Sequence, residues 1–112
     1  GDAEPYTAAR LEALRAEGRP VFINLTAAWC ITCLVNEKVA LGRDSVRQQL
    51  HSKGIAYLKG DWTNRDPEIT RLLQQFGRSG VPLYLYFPPG RGSEIVVLPQ
   101  VLTENTVLEA LR

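Results

Sequence analysis

The chain has no methionine, one histidine and only two cysteines in 112 residues. Two cysteines cannot build the multi-bridge framework of a small secreted scaffold. Those thiols and the lone, distant His51 also fall short of the four ligands of a structural zinc site. No apolar run approaches the ~20 residues needed to cross a bilayer. Charge of one sign is lacking too: the net charge is +1, and the ten arginines and three lysines are scattered. Such a surface carries no field to attract nucleic acid or an anionic membrane. The opening Gly1-Asp2-Ala3-Glu4-Pro5 has no signal-peptide character. With no methionine at the start, the chain is expected to be an excised domain or a processed product. A hydrophobic content of 45% and a charged content of 22% suit one globular domain with one real core.

Hydrophobic spacing and turn residues predict the order α-β-α-α-β-α-β-β-α. A first helix spans Thr7 to Glu17, with Leu11 and Leu14 on one face and Gly18 as its stop. Pro20 opens a strand, Val21 to Thr26, whose continuous apolar character suits a central position covered on both faces. Cys30 to Leu41 is the second helix, ended by Gly42. Asp44 is expected to cap a third, with Val46 and Leu50 inward and Gly54 as terminator. A strand follows from Ile55 to Lys59. Asp66 then caps a helix with Pro67 at its first position; Ile69, Leu72, Leu73 and Phe76 fall on one face. Leu83 to Phe87 and Glu94 to Leu98 form a hairpin around Pro88-Pro89-Gly90-Arg91-Gly92, and Thr103 caps a last helix. The first two strands should be parallel and the last two antiparallel. The fold class is α/β, a mixed central sheet with helices on both faces. No repeat or interdomain linker interrupts residues 1–112.

The chemistry concentrates at Trp29-Cys30-Ile31-Thr32-Cys33, where a strand passes into a helix. A helix N-terminus stabilises a thiolate, so a dithiol placed there reads as a redox site. Cys30, in the first turn and near solvent, is the expected nucleophile. Cys33, one turn further in, is the expected resolving thiol, and exchange runs through a mixed disulfide. No cofactor beyond the cysteine pair and no bound metal is expected. Trp29 is expected to flank the site as a flat apolar surface. Ile31-Thr32 supplies no cation, which favours a poise of about −200 to −270 mV over a strongly oxidising one. Glu37, four residues after Cys33, shares its helical face and is a candidate proton acceptor during exchange. His51 is set aside as a helix-end residue, and Trp62 as a packing residue.

Ala28 to Cys33, Val35-Asn36-Glu37, Asp61 to Ile69 and Phe76 to Tyr84 together resemble the thioredoxin superfamily. The closer resemblance is to the C-terminal thioredoxin-like domain of DsbD-type thiol:disulfide interchange proteins and their ScsB-like relatives. It covers nearly the whole chain. The resemblance implies a thioredoxin fold and a monomeric domain held in the periplasm by a larger inner-membrane protein. It also implies electrons arriving from a membrane-embedded domain and leaving to a periplasmic, disulfide-bearing acceptor. Cys30 and Cys33 match the active cysteines, Pro82 the cis-proline beside the disulfide, and Val81 the residue whose backbone pairs with a partner. Glu37 matches an acidic position near the resolving cysteine. One departure stands out: Asn24 occupies a position where many relatives carry a buried aspartate, and an amide cannot take up a proton. Alternatives remain a free-standing thioredoxin-like reductase or oxidant, a cysteine-based metal-binding module, and an inactive interaction domain.

Overall fold

A computed structural model describes residues 3–90, 92 and 94–112. Five strands form one sheet in the order β1-β3-β2-β4-β5. They are β1 (Glu4–Pro5), β2 (Val21–Thr26), β3 (Ala56–Asp61), β4 (Leu83–Phe87) and β5 (Val96–Val97). Helices α1 (Ala8–Ala16), α2 (Ile31–Asn36), α3 (Asp44–Ser52), α4 (Pro67–Gln75) and α5 (Glu104–Ala110) cover it. β2 lies at the centre, parallel to β3 and antiparallel to β4. That position explains its unbroken apolar run: both faces of β2 are buried.

Alternation along β2 sends its side chains to two separate cores. Val21, Ile23 and Leu25 join Leu14 of α1 and Ile69, Leu72 and Leu73 of α4 on one face. Phe22 joins Val46 and Leu50 of α3 and Val107 of α5 on the other. Each fully buried aliphatic side chain contributes about 1.5–3 kcal/mol against the entropy of ordering it. Gly60 lets the first core close. A Cβ there would lie 2.6 Å from Leu25 Cδ2 and 3.2 Å from Ile69 Cδ1.

Several expected boundaries shift. A short strand, β1, precedes α1 and pairs parallel with β3 through Glu4↔Leu58 and Pro5↔Lys59. Two residues are too few to show an alternating pattern. β3 runs on to Asp61 because Leu25↔Gly60 and Thr26↔Asp61 continue its ladder with β2. β5 is only Val96–Val97, so the expected Glu94 to Leu98 strand is shortened at both ends. Arg91 of the expected turn, and Gly1 and Asp2, lie outside the described residues. Asp66 caps α4 as expected, its carboxylate accepting from the Glu68 and Ile69 backbones, with Pro67 at the first position. Asp44, expected as a cap, is instead the first residue of α3, and Arg43 is the cap residue without a side-chain bond. The acidic group still suits the positive end of that helix.

The second expected helix changes character midway. After α2 the chain continues as a π-helix over Glu37–Leu41. The wider turn closes with Gly42 N donating to Glu37 O at 2.7 Å. A Cβ at residue 42 would lie 2.8 Å from that same oxygen, so glycine permits the closure. No helix among the described residues is long and apolar enough to cross a membrane.

Candidate active site

Cys30 and Cys33 are joined as a disulfide at the junction of β2 and α2. Cys30 is the N-cap of α2, in extended conformation, and its Sγ accepts from Cys33 N at 3.1 Å. The sulfur thus takes the place of a capping oxygen and faces N–H groups that the helix itself leaves free. A thiolate formed there on reduction is stabilised by the same donors and by the helix dipole. Both cysteines are buried, Cys30 keeping 7% exposure and Cys33 2%. The difference in access between them is therefore small, although Cys30 is the outer one.

The two cysteines pack with Ala27, and half-buried Val81 closes over this group. The Val81–Pro82 peptide bond is cis. Arg78 Nη1 donates to Pro82 O at 3.3 Å, tying that bend to the end of α4. The structure thus assembles Cys30, Cys33, Val81 and Pro82 in one place.

Trp29 is about half exposed beside this group. Its indole Nε1 donates to Thr63 O at 3.0 Å, and Ala28 N donates to Thr63 Oγ1 at 2.8 Å. The Asp61 carboxylate accepts from both the backbone and the hydroxyl of Thr63, which lowers its pKa below the ordinary carboxylate value. Arg65 places its guanidinium 5.3 Å from the Trp62 ring centre and 5.8 Å from that of Trp29. Trp62 itself is buried and donates to Thr70 Oγ1 at 2.8 Å. A second loop, residues 61–65, therefore holds the cysteine loop from the side. The sequence marked it as the lead-in to α4, but nothing in residue order shows Thr63 reaching across to Ala28 and Trp29.

Asn24 and Glu37 belong to a neighbouring group centred on Tyr57. Asn24 is 2% exposed and donates from Nδ2 to the Tyr57 hydroxyl at 3.0 Å. Its Oδ1 accepts from no group among the described residues. Glu37 lines a cleft of about 460 Å³ with Tyr57, Lys59, Leu41 and His51. The Tyr57 pKa is pushed up to about 12, first by burial, against the bond from Asn24 and with a smaller push from the Glu37 charge. Burial raises Tyr84 as well, again with a contribution from Glu37. Sequence reasoning named Asn24 and Glu37 separately and missed the tyrosine between them. Strand alternation could have found it, because Tyr57 and Lys59 share the face of β3 on which Asn24 points from β2.

Asn36, not among the candidate site residues, fastens α2 to the rest of the molecule. Its Nδ2 donates to the Tyr84 hydroxyl at 2.9 Å and to Gln100 O at 2.7 Å, and its Oδ1 accepts from Leu102 N at 2.9 Å.

Residues 2–89 match the thioredoxin-like family. The chain belongs to that family. The thiol:disulfide interchange protein DsbD of Yersinia pestis (strain Pestoides F) is 36% identical over 81 residues, 72% of this chain and 13% of that protein. DsbD 1 of Pseudomonas aeruginosa is 35% identical over 88 residues, 75% of this chain and 15% of that protein. The chain thus spans only about an eighth of the length of such relatives. The oxidised C-terminal domain of Neisseria meningitidis DsbD matches with a TM-score of 0.74 at 25% identity, covering 96% of this chain and 95% of that one. A thioredoxin from Thermus thermophilus shares the fold, with a TM-score of 0.78 at 21% identity, 99% of this chain and 85% of that chain being covered. With its Cys30–Cys33 pair at the head of α2, this thioredoxin-like chain is a thiol–disulfide oxidoreductase domain.

Proposed function

We propose that the domain relays two electrons through Cys30 and Cys33 from a membrane-embedded donor domain to a disulfide-bearing partner in the periplasm. In this reading it is one domain of a larger protein tethered to the inner membrane. The observation that carries the proposal is Cys30 Sγ at the N-cap of α2, paired with Cys33 and closed over by Val81. The likeness to DsbD, whose name describes thiol:disulfide interchange, supports the setting.

In the reduced domain the Cys30 thiolate attacks one sulfur of the partner disulfide. The Cys30–partner bond forms and the other partner sulfur leaves as a thiolate, which takes up a proton. Cys33 then loses its proton and attacks Cys30 Sγ. The Cys30–Cys33 bond forms and the partner departs with both of its sulfurs reduced. The N–H of Cys33 that faces Cys30 Sγ lowers the cost of the thiolate both as nucleophile and as leaving group. Val81 offers its backbone beside the disulfide for pairing with an incoming chain, and Trp29 supplies a flat contact. Glu37 would accept the Cys33 proton, acting from the Tyr57 cleft.

Equilibration with defined dithiol and disulfide buffers tests the direction of flow. A potential of about −200 to −270 mV is expected. A value near about −120 mV would make the domain an oxidant and overturn the relay. Trapping with Cys33→Ala, followed by mass spectrometry, should recover Cys30 joined to a periplasmic protein or domain.

A further inference from the structure

The segment that joins β2 to α2 cannot hold its own shape. Between Thr26 and Cys30 it reads Ala27-Ala28-Trp29, with no proline, no glycine and no short polar side chain to fold back on the backbone. Its conformation is fixed from outside, by the loop of residues 61–65. Trp62 N donates to Thr26 O at 2.7 Å, Ala28 N to Thr63 Oγ1 at 2.8 Å and Trp29 Nε1 to Thr63 O at 3.0 Å.

The bond from Ala28 belongs to a chain that ends at the reactive cysteine. The Thr63 hydroxyl donates to Asp61 Oδ1, so its one hydrogen is committed and its oxygen is left to accept. It accepts from Ala28 N. The carbonyl of the same peptide unit, Ala27 O, accepts from Cys30 N at 3.1 Å. Three hydrogen bonds pointing one way thus run from the Cys30 amide, through the Ala27–Ala28 peptide and the Thr63 hydroxyl, to the Asp61 carboxylate. Bonds aligned in this way strengthen one another. Thr63 N also donates to Asp61 Oδ1, at 2.9 Å, and holds the carboxylate in place.

The chain matters most in the reduced domain. While Cys30 and Cys33 are joined, their bond itself keeps Cys30 Sγ against the head of α2. On reduction that link is lost. The Cys30 thiolate then stays at the N-cap only as far as the backbone leading to it is held, and its bond from Cys33 N weakens steeply with misplacement. We infer that Thr63 is a positioning residue for the Cys30 thiolate, acting through the Ala27–Ala28 peptide, and that Asp61 sets the direction of its hydroxyl. This rests on the exchange reading above. Without the hydroxyl the thiolate is less well stabilised, so Cys30 titrates higher and attacks more slowly at neutral pH.

Thr63→Val removes the hydroxyl and keeps the branched shape. The Cys30 titration, read from the pH dependence of iodoacetamide alkylation in the reduced domain, should move up by about one pH unit. Reduction of 2-hydroxyethyl disulfide at about pH 7 should slow about threefold, the smaller thiolate fraction being partly offset by higher nucleophilicity. Thr63→Ser keeps the hydroxyl and should restore both. Asp61 is exposed, so its variants test the chain with little risk to folding. Asp61→Asn and Asp61→Ala remove the same charge, but only asparagine keeps an oxygen for the hydroxyl. Cys30 should therefore titrate higher in the alanine variant than in the asparagine one. A titration unmoved by Thr63→Val, or moved equally by valine and serine, would overturn the proposal. So would equal titrations in the two Asp61 variants. Failure of the unmodified domain to reduce 2-hydroxyethyl disulfide would instead defeat the exchange reading itself.

Discussion

Asn24 of β2 and Asn36 of α2 are almost equally buried, at 2% and 1%, and they are engaged very differently. Asn36 has both ends of its amide occupied, by the Tyr84 hydroxyl, Gln100 O and Leu102 N. Asn24, directly opposite Tyr84 in the sheet, bonds only the Tyr57 hydroxyl and leaves Oδ1 without a donor among the described residues. A fully satisfied buried amide specifies a unique arrangement, whereas a half-satisfied one costs stability. The first therefore reads as the fastening of the cysteine-bearing helix. The second sits beside Tyr57 with hydrogen-bonding capacity in hand, which a purely structural residue has little reason to keep.

Removing the fastening should have the largest effect. Asn36→Ala strips partners from Leu102 N, Gln100 O and the Tyr84 hydroxyl, and should cost about 3 kcal/mol. That corresponds to a fall of roughly 10–15 °C in melting temperature for a domain of this size, measurable by calorimetry. A loss under about 1 kcal/mol would mean the amide is not the clamp its bonds describe.

The partner of Asn24 gives the next effect. Tyr57 has an ordinary pKa of 10.0 and a folded value of about 12. Above pH 10 the unfolded chain gives up the phenol proton while the folded one keeps it, so the unfolded state binds fewer protons and stability falls as pH rises. The contribution is fully present below pH 10 and lost between pH 10 and about 12, amounting to at most about 3 kcal/mol. Denaturant titrations at pH 9 and 11 should show about half of that loss, and Tyr57→Phe should flatten it. The other buried tyrosines, Tyr84 among them, are raised too and will leave a residual slope.

The smallest effect tests Asn24 itself. Asn24→Asp would put a titrating group beside Tyr57, which also feels the Glu37 charge. The cysteine titrations of the reduced domain should then shift by about one pH unit, or about 1.4 kcal/mol, and become coupled to the new carboxyl. Titrations identical to those of the parent would detach position 24 from the exchange chemistry, leaving Asn24 as a half-satisfied core residue.

The resemblance and the residues agree on the outline because the strongest signals are local. β2 shows its central position in its own apolar run, α4 its start in Asp66-Pro67, and the redox site its chemistry in two cysteines one helical turn apart. The misreadings fall where a partner segment decides. β1 exists only because β3 offers it an edge, and the helix turns π-helical where Gly42 lets Glu37 O approach. Tyr57 and Thr63, neither of them singled out, prove to be the groups that join Asn24 to Glu37 and the second loop to Trp29.

By itself the sequence determined the α/β class and a dithiol at a strand–helix junction, since periodicity, caps and cysteine spacing act over a few residues. Only the tertiary structure decided how the site is equipped. It set Val81 against the sulfurs, paired Asn24 with a tyrosine 33 positions away, and left Ile31, Leu34 and Val35 facing solvent. The reason is physical: which face of a helix is buried, and which buried polar group is satisfied, depends on segments that meet only when the sheet is assembled.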